Sequence, residues 1–137
     1  MPTKDELNTI FDELKNILKK YSPPFSVKTP SEALKKKRSF ELTSYKKVVI
    51  AGRKKDEVYF AGIIIQKDYV GFYYMLAYAE PYTNDQWNMK DQLSPKFLSL
   101  LKGKTCFYIR NTEEDILNEV KKALDIGVKK YKEWGWV

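Results

Sequence analysis

Any chemistry in this chain has to be built from carboxylates, lysines, tyrosines and one thiol, because histidine is absent. That absence removes the commonest general base, the commonest metal ligand and every triad built on imidazole. Cys106 is the sole cysteine, so neither an intramolecular disulfide nor a zinc site of the Cys or Cys/His kind can be assembled. Between Thr105 and Phe107 in an apolar strand, its thiol is expected to be buried, with a raised pKa and a structural role. Gly52-Arg53-Lys54-Lys55 lacks the second glycine and the Lys-Ser/Thr pair of a phosphate loop, and reads as a basic β-turn. Gly103-Lys104-Thr105 has the right letters but follows a helix and precedes a strand, the reverse of the order a phosphate loop needs. No convergent set of titratable groups of the kind catalysis requires emerges, so no enzyme activity, no cofactor and no metal site are expected.

Two sets of residues remain as candidates for binding. Phe60, Tyr73 and Met75 fall on the more open face of a predicted sheet, with Trp87 in the following loop. Together they can line a shallow pocket for a small apolar or aromatic ligand, or for a protein partner. The same aromatic side chains equally serve to cover Gly62 and Gly71, a way of protecting glycine in a sheet, and both readings stand. The second set is electrostatic. Of the net charge of +7, the segment from Lys28 to Lys55 supplies ten Lys or Arg against only Glu32 and Glu41. Arg38, Lys46, Lys47, Arg53, Lys54 and Lys55 are therefore candidates for weak, non-specific binding of a polyanion such as nucleic acid. Its plain alternative is a solvated face, since Lys is readily left in water.

The elements that must position these residues are read from periodicity. Thr3 with Glu6 forms a capping box, and Leu7, Ile10, Phe11, Leu14, Ile17, Leu18 and Tyr21 recur at helical spacing until Pro23 and Pro24. This predicts a helix over about 4–20 and a Pro-rich connection over 22–30. Ser31 could cap a short turn ending near Lys35 to Lys37. From Phe40 the pattern changes to strands, with one or two between Phe40 and Ile50 and a sheet edge near Phe40 to Tyr45. Val58 to Gln66 and Tyr69 to Tyr78 are rich in β-branched and aromatic residues and predict a hairpin turning at Lys67-Asp68. Its register places Ile64 opposite Gly71, Gly62 opposite Tyr73 and Phe60 opposite Met75 on the open face. Tyr59, Ala61, Ile63 and Ile65 share the other, apolar face with Val70, Phe72, Tyr74, Leu76 and Tyr78.

Pro81 to Leu93 reads as a long loop or irregular helix, and Ser94-Pro95 starts a short helix through Leu101 that Gly103 ends. Thr105 to Ile109 is a further strand. Thr112 with Asp115 is expected to open a last helix whose buried stripe is Ile116, Val120, Ala123, Leu124 and Tyr131. Gly127 inside it costs about 1 kcal/mol and points to a close approach to the sheet or a break. The fold class is therefore α+β. It is a single two-layer domain over 1–137, with an antiparallel sheet of about five strands and helices mainly on one face.

Gly52-Arg-Lys-Lys-Asp-Glu-Val-Tyr-Phe-Ala-Gly62, Val70-Gly-Phe-Tyr-Tyr-Met75, Leu101-Lys-Gly-Lys-Thr-Cys-Phe-Tyr-Ile109 and the terminal Gly135-Trp-Val occur in an order that resembles the YdhG-like family, domains of unknown function. The resemblance covers roughly Phe40 to Val137, and the first helix matches only in position. It implies a compact α+β domain with an antiparallel sheet and flanking helices. A frataxin-like iron-carrier role suggested within that family would require clustered carboxylates. The first helix mixes its acids with Lys4, Lys15, Lys19 and Lys20, and the only acidic triplet, Glu113-Glu114-Asp115, suits the first turn of a helix for structural reasons alone. With no apolar run long enough to cross a bilayer and no secretory pattern over Met1 to Lys20, a cytoplasmic location without membrane association is expected. A monomer is favoured over a homodimer.

Overall fold

The computed structural model describes residues 2–30, 37–50, 52–78 and 89–137. Helix α1 spans Lys4–Leu18 and closes with a 3₁₀ turn over Lys19–Tyr21. Strands β1 (Ser26–Lys28), β2 (Ser39–Ser44), β3 (Val48–Ile50), β4 (Arg53–Lys55), β5 (Val58–Ile65) and β6 (Val70–Tyr74) follow, and a second 3₁₀ turn runs over Met75–Tyr78. The remaining elements are the short helices α2 (Met89–Gln92) and α3 (Pro95–Leu98), strands β7 (Leu101–Lys102) and β8 (Cys106–Ile109), and the long helix α4 (Glu114–Glu133).

Six strands form one antiparallel sheet in the order β1-β2-β5-β6-β8-β7, and β3 pairs with β4 in a separate two-stranded hairpin. The α+β architecture is the one the periodicity predicts. Its additional strands come from segments whose pattern is not strand-like. β1 lies within the Pro-rich connection, and β7 occupies the positions expected to finish the short middle helix, which instead stops at Leu98. Because β1 pairs along β2, the edge expected near Phe40 to Tyr45 is internal over Glu41 to Thr43; the outer strands are β1 and β7.

Local chemistry explains the helix starts. The Thr3 side chain accepts from the Glu6 amide while the Glu6 carboxylate accepts from the Thr3 amide, and Ser94 Oγ accepts from the Phe97 amide with Pro95 in the first turn. α4 begins differently from expectation. Glu113, not Thr112, is its N-cap and makes no side-chain cap bond; instead Asn111 Oδ1 accepts from the Glu113 amide.

One face of the sheet carries the core. Leu7, Ile10, Phe11, Leu14, Ile17 and Leu18 of α1 and Ile116, Val120, Ala123, Leu124 and Tyr131 of α4 are all buried, together with Ala61, Ile63, Phe72, Phe107 and Phe97. Gly127 marks the close approach its position predicts: a Cβ there would lie 2.6 Å from Phe60 Cε1. Tyr74 Oη donates to the Ala123 carbonyl and Tyr131 Oη to the Tyr59 carbonyl, so the buried phenols tie α4 to the sheet.

The hairpin register is as predicted, with Ile64 opposite Gly71 and Gly62 opposite Tyr73. The faces, however, exchange at one end of β5. The β2 to β5 ladder slips between Leu42, opposite Ala61, and Thr43, opposite Tyr59, so Phe60 is an extra residue with no partner. Such a bulge turns the alternation by one residue. Phe60, expected on the open face, is instead fully buried, stacked on Phe25 at 3.9 Å and edge-on to Tyr131. Tyr59, expected in the core, turns to the opposite face, where its hydroxyl reaches the space above Gly62. Met75 ends the strand register by entering the 3₁₀ turn, so Phe60 and Met75 are not a pair.

Candidate functional site

The face away from α1, α3 and α4 is crossed by a single row of paired residues. Lys28 lies opposite Glu41, Glu41 opposite Gly62, Gly62 opposite Tyr73, and Tyr73 opposite Cys106. At about 4.8 Å between strands, Glu41 and Tyr73 stand about 10 Å apart with only the hydrogen of Gly62 between them. Into that gap leans Tyr59. A Cβ on Gly62 would collide with Tyr59 Oη and sit 2.8 Å from Glu41 Cγ; one on Gly71 would lie 2.9 Å from Tyr73 Cε2. Both glycines are thus roofed by tyrosines, Gly62 by Tyr59 and Gly71 by Tyr73.

Roofing does not fill the surface. A cavity of about 370 Å³ opens here, lined by Lys28, Glu41, Tyr59, Ile64, Tyr73, Tyr74, Met75 and Thr105. Of the residues expected to form a pocket, Tyr73 and Met75 line it, Phe60 is in the core behind it, and Trp87 lies outside the described residues. Lys28, Glu41, Tyr59, Ile64, Tyr74 and Thr105 were not anticipated. Lys28 joins the site because β1 pairs with β2, Glu41 because β2 pairs with β5, and Tyr59 because of the bulge in that pairing.

The polar groups of the cavity are unequal. Lys28 Nζ sits 2.7 Å from Glu57 Oε1, and that hydrogen bond raises the lysine pKa against a small opposing effect of burial. Tyr59 Oη is shut off from solvent and has no hydrogen-bond partner of acceptable geometry, although the Glu41 carboxylate lies beside it. Burial first, and the neighbouring Glu41 second, hold this phenol far above its usual pKa, so it is neutral. A buried hydroxyl left unpaired is uncommon in folded proteins and calls for a specific explanation. Tyr73 is also raised, chiefly by burial; its hydroxyl accepts from Gln66 Nε2 at 3.4 Å, and Lys37 Nζ donates to Gln66 Oε1 at 2.8 Å. Cys106 is half-buried beside Tyr73 on this face, and burial pushes its thiol up, away from thiolate reactivity.

Farther along the same face Tyr69 and Tyr108 stack at 3.8 Å, with the Arg110 guanidinium within 5.7 Å of both rings. The face therefore presents tyrosine rings over β5, β6 and β8 and charged side chains over β1 and β2.

The basic residues divide into two groups. Arg53, Lys54 and Lys55 form β4, opposite Ile50, Val49 and Val48, and Lys46 and Lys47 precede β3; all five are exposed and none forms an ion pair among the described residues. Arg38 does not join them. It lies over the Phe11 ring at 4.3 Å, donates to Asn8 Oδ1 and pairs with Asp12 at 2.7 Å, fixing the start of β2 to α1. The six residues of β2 separate it from the hairpin by about 20 Å, more than two Debye lengths at physiological salt, so the two fields do not add as expected.

Two acids of the triplet are already engaged. Lys96 Nζ bridges Glu113 Oε2 at 2.7 Å and Asp115 Oδ2 at 2.8 Å, which lowers the Asp115 pKa. Among the described residues no group of three or more Cys, Asp or Glu is placed to hold a metal ion, and no helix is long and apolar enough to cross a membrane. No protein-family model, no curated protein and no solved structure matches the chain.

Proposed function

We propose that this chain is a YdhG-like domain that works by binding, not by catalysis, and that it holds a small ligand in the cavity over Gly62. The observation that carries the reading is the Tyr59 hydroxyl, buried at the cavity without a hydrogen-bond partner. An occupant that bonds to it would recover the cost of leaving it dry. The apolar part of that occupant would rest on Ile64, Tyr73 and Met75, and Glu41, Thr105 and Lys28 would orient it. The cavity is within the size range of small-molecule sites. Both outer strands are short, three residues in β1 and two in β7, which limits edge-to-edge pairing and favours a monomer, as light scattering at two concentrations would check.

Fragment screening by NMR tests the reading. Ligands are expected to shift resonances of Tyr59, Tyr73, Met75 and Thr105 together, and Thr105→Trp, which adds bulk at the rim, to abolish those shifts. If no fragment moves these residues even at millimolar concentration, the binding reading is wrong.

A second reading belongs to the separate β3-β4 hairpin. Five exposed cations on and beside the β3-β4 hairpin support weak polyanion binding, now without Arg38. Each neutralised phosphate would contribute about −0.9 to the slope of log affinity against log salt on duplex DNA. Arg53→Glu, Lys54→Glu and Lys55→Glu together should remove the binding while leaving the melting temperature nearly unchanged. Fluorescence anisotropy at low salt showing no association with DNA, RNA or heparin leaves the charge as a solubility feature.

A further inference from the structure

The charges around the cavity narrow the occupant further, in an inference that rests on the binding reading above. Lys28 pairs with Glu57 at 2.7 Å and, as the strand neighbour of Glu41, also feels its charge, so the one cation faces two acids. Glu41 forms no ion pair among the described residues, so of the two acids near Lys28 it is the one whose carboxylate has no direct cationic partner and lines the cavity. It converges with the neutral Tyr59 hydroxyl on one spot, the space above Gly62 where a Cβ would displace both. Both groups have lone pairs to offer there. The Tyr73 ring, Ile64 and Met75 make the adjoining surface aromatic and apolar.

We infer that the ligand is a small organic cation, an ammonium group attached to an apolar or aromatic body. Its N–H groups donate to the Glu41 carboxylate and to Tyr59 Oη, a charge-assisted pair stronger than bonds between neutral groups. Its body lies against Tyr73, whose ring face adds attraction for the positive charge. An anionic ligand of the same shape would bring its charge beside Glu41 and reach Lys28 only by displacing Glu57. A bare metal ion would find too few ligands, since no cluster of three acids is present among the described residues.

The experiment compares three probes of one size, 2-phenylethylamine, 2-phenylethanol and phenylacetate, titrated against the full chain by calorimetry and NMR. The amine is expected to bind at least about tenfold more tightly than the alcohol or the carboxylate, with shifts at Tyr59 and Tyr73. Glu41→Gln should bring the amine down to the level of the alcohol, with unfolding by urea unchanged as the check on folding. Gly62→Ala should weaken the amine as well, by forcing Tyr59 and Glu41 apart. If the alcohol or the carboxylate binds as well as the amine, or if Glu41→Gln leaves amine affinity intact, the cation assignment is overturned and the pocket remains. If none of the three binds, the cation assignment falls, and the fragment screen decides the pocket separately.

Discussion

Tyr59 gives up its contact with water on folding and receives no well-formed hydrogen bond in return. An unpaired buried polar group costs about 1–3 kcal/mol, so Tyr59→Phe is expected to stabilise the free protein by about 1 kcal/mol in urea unfolding while weakening the ligand. A variant that is more stable and binds less would be hard to obtain from a residue serving only the fold. Gly127 is the opposite case. Alanine there would gain about 1 kcal/mol of helix propensity, but its Cβ would press on a Phe60 ring already fixed between Phe25 and Tyr131. Overpacking of this kind costs about 1–3 kcal/mol, so Gly127→Ala should be destabilising on balance, by about 1 kcal/mol in the same assay. Gly127 was legible in the sequence because a glycine within an amphipathic helix is conspicuous. The role of Tyr59 was not, because its direction is decided by β2.

At the scale of elements, whatever depends on local chemistry was readable. The capping box of α1, the Ser94-Pro95 helix start, the apolar stripes of α1 and α4 and the register of the β5-β6 hairpin all follow from spacing within one segment. Elements created by pairing with distant residues were not. Ser26–Lys28 becomes a strand because β2 offers it a partner, and Leu101–Lys102 because Cys106 and Phe107 do. Part of the candidate site rests on long-range pairing, which is why Lys28 and Glu41 were missed. The bulge has a measurable counterpart: Phe60→Ala should cost about 3–5 kcal/mol, as for a fully buried aromatic, whereas a residue on the open face would lose far less. A cost below about 1 kcal/mol in chemical denaturation would return Phe60 to the open face.

At the scale of the whole molecule, a set of buried and half-buried phenols governs the response to alkali. Tyr21, Tyr59, Tyr74 and Tyr131 are all held above the ordinary phenol value, and burial is the largest cause in each; for Tyr21 and Tyr59 a neighbouring carboxylate adds to it. A folded-state pKa raised above the unfolded value of 10.0 contributes stability that is complete below that pH and is lost as pH rises beyond it. The fold should therefore be insensitive to these groups near neutrality and weaken progressively above about pH 10. Titration of phenolate absorbance should show an early set of exposed tyrosines and a late set that ionises only together with the loss of circular dichroism. A single smooth titration of all ten tyrosines in the folded state would contradict the burial of this set.

The extra residue in β5 makes the site a matter of parity. Counting outward from the β6 turn, every side chain up to Ala61 obeys an even-odd rule; beyond Phe60 the rule is inverted, and Tyr59 faces Glu41 in place of the core. The direction of Tyr59, and with it the shape of the pocket, is therefore decided by residue count. Deleting Phe60 alone would restore uninterrupted alternation but leave no ring to stack on Phe25, while keeping Tyr59 over Gly62. Inserting one residue between Tyr59 and Phe60 would instead reverse the count for Tyr59 and send it inward. The deletion should thus damage stability more than the tyrosine's orientation, and the insertion should dismantle the pocket, a contrast that binding and unfolding measurements on the two length variants would expose.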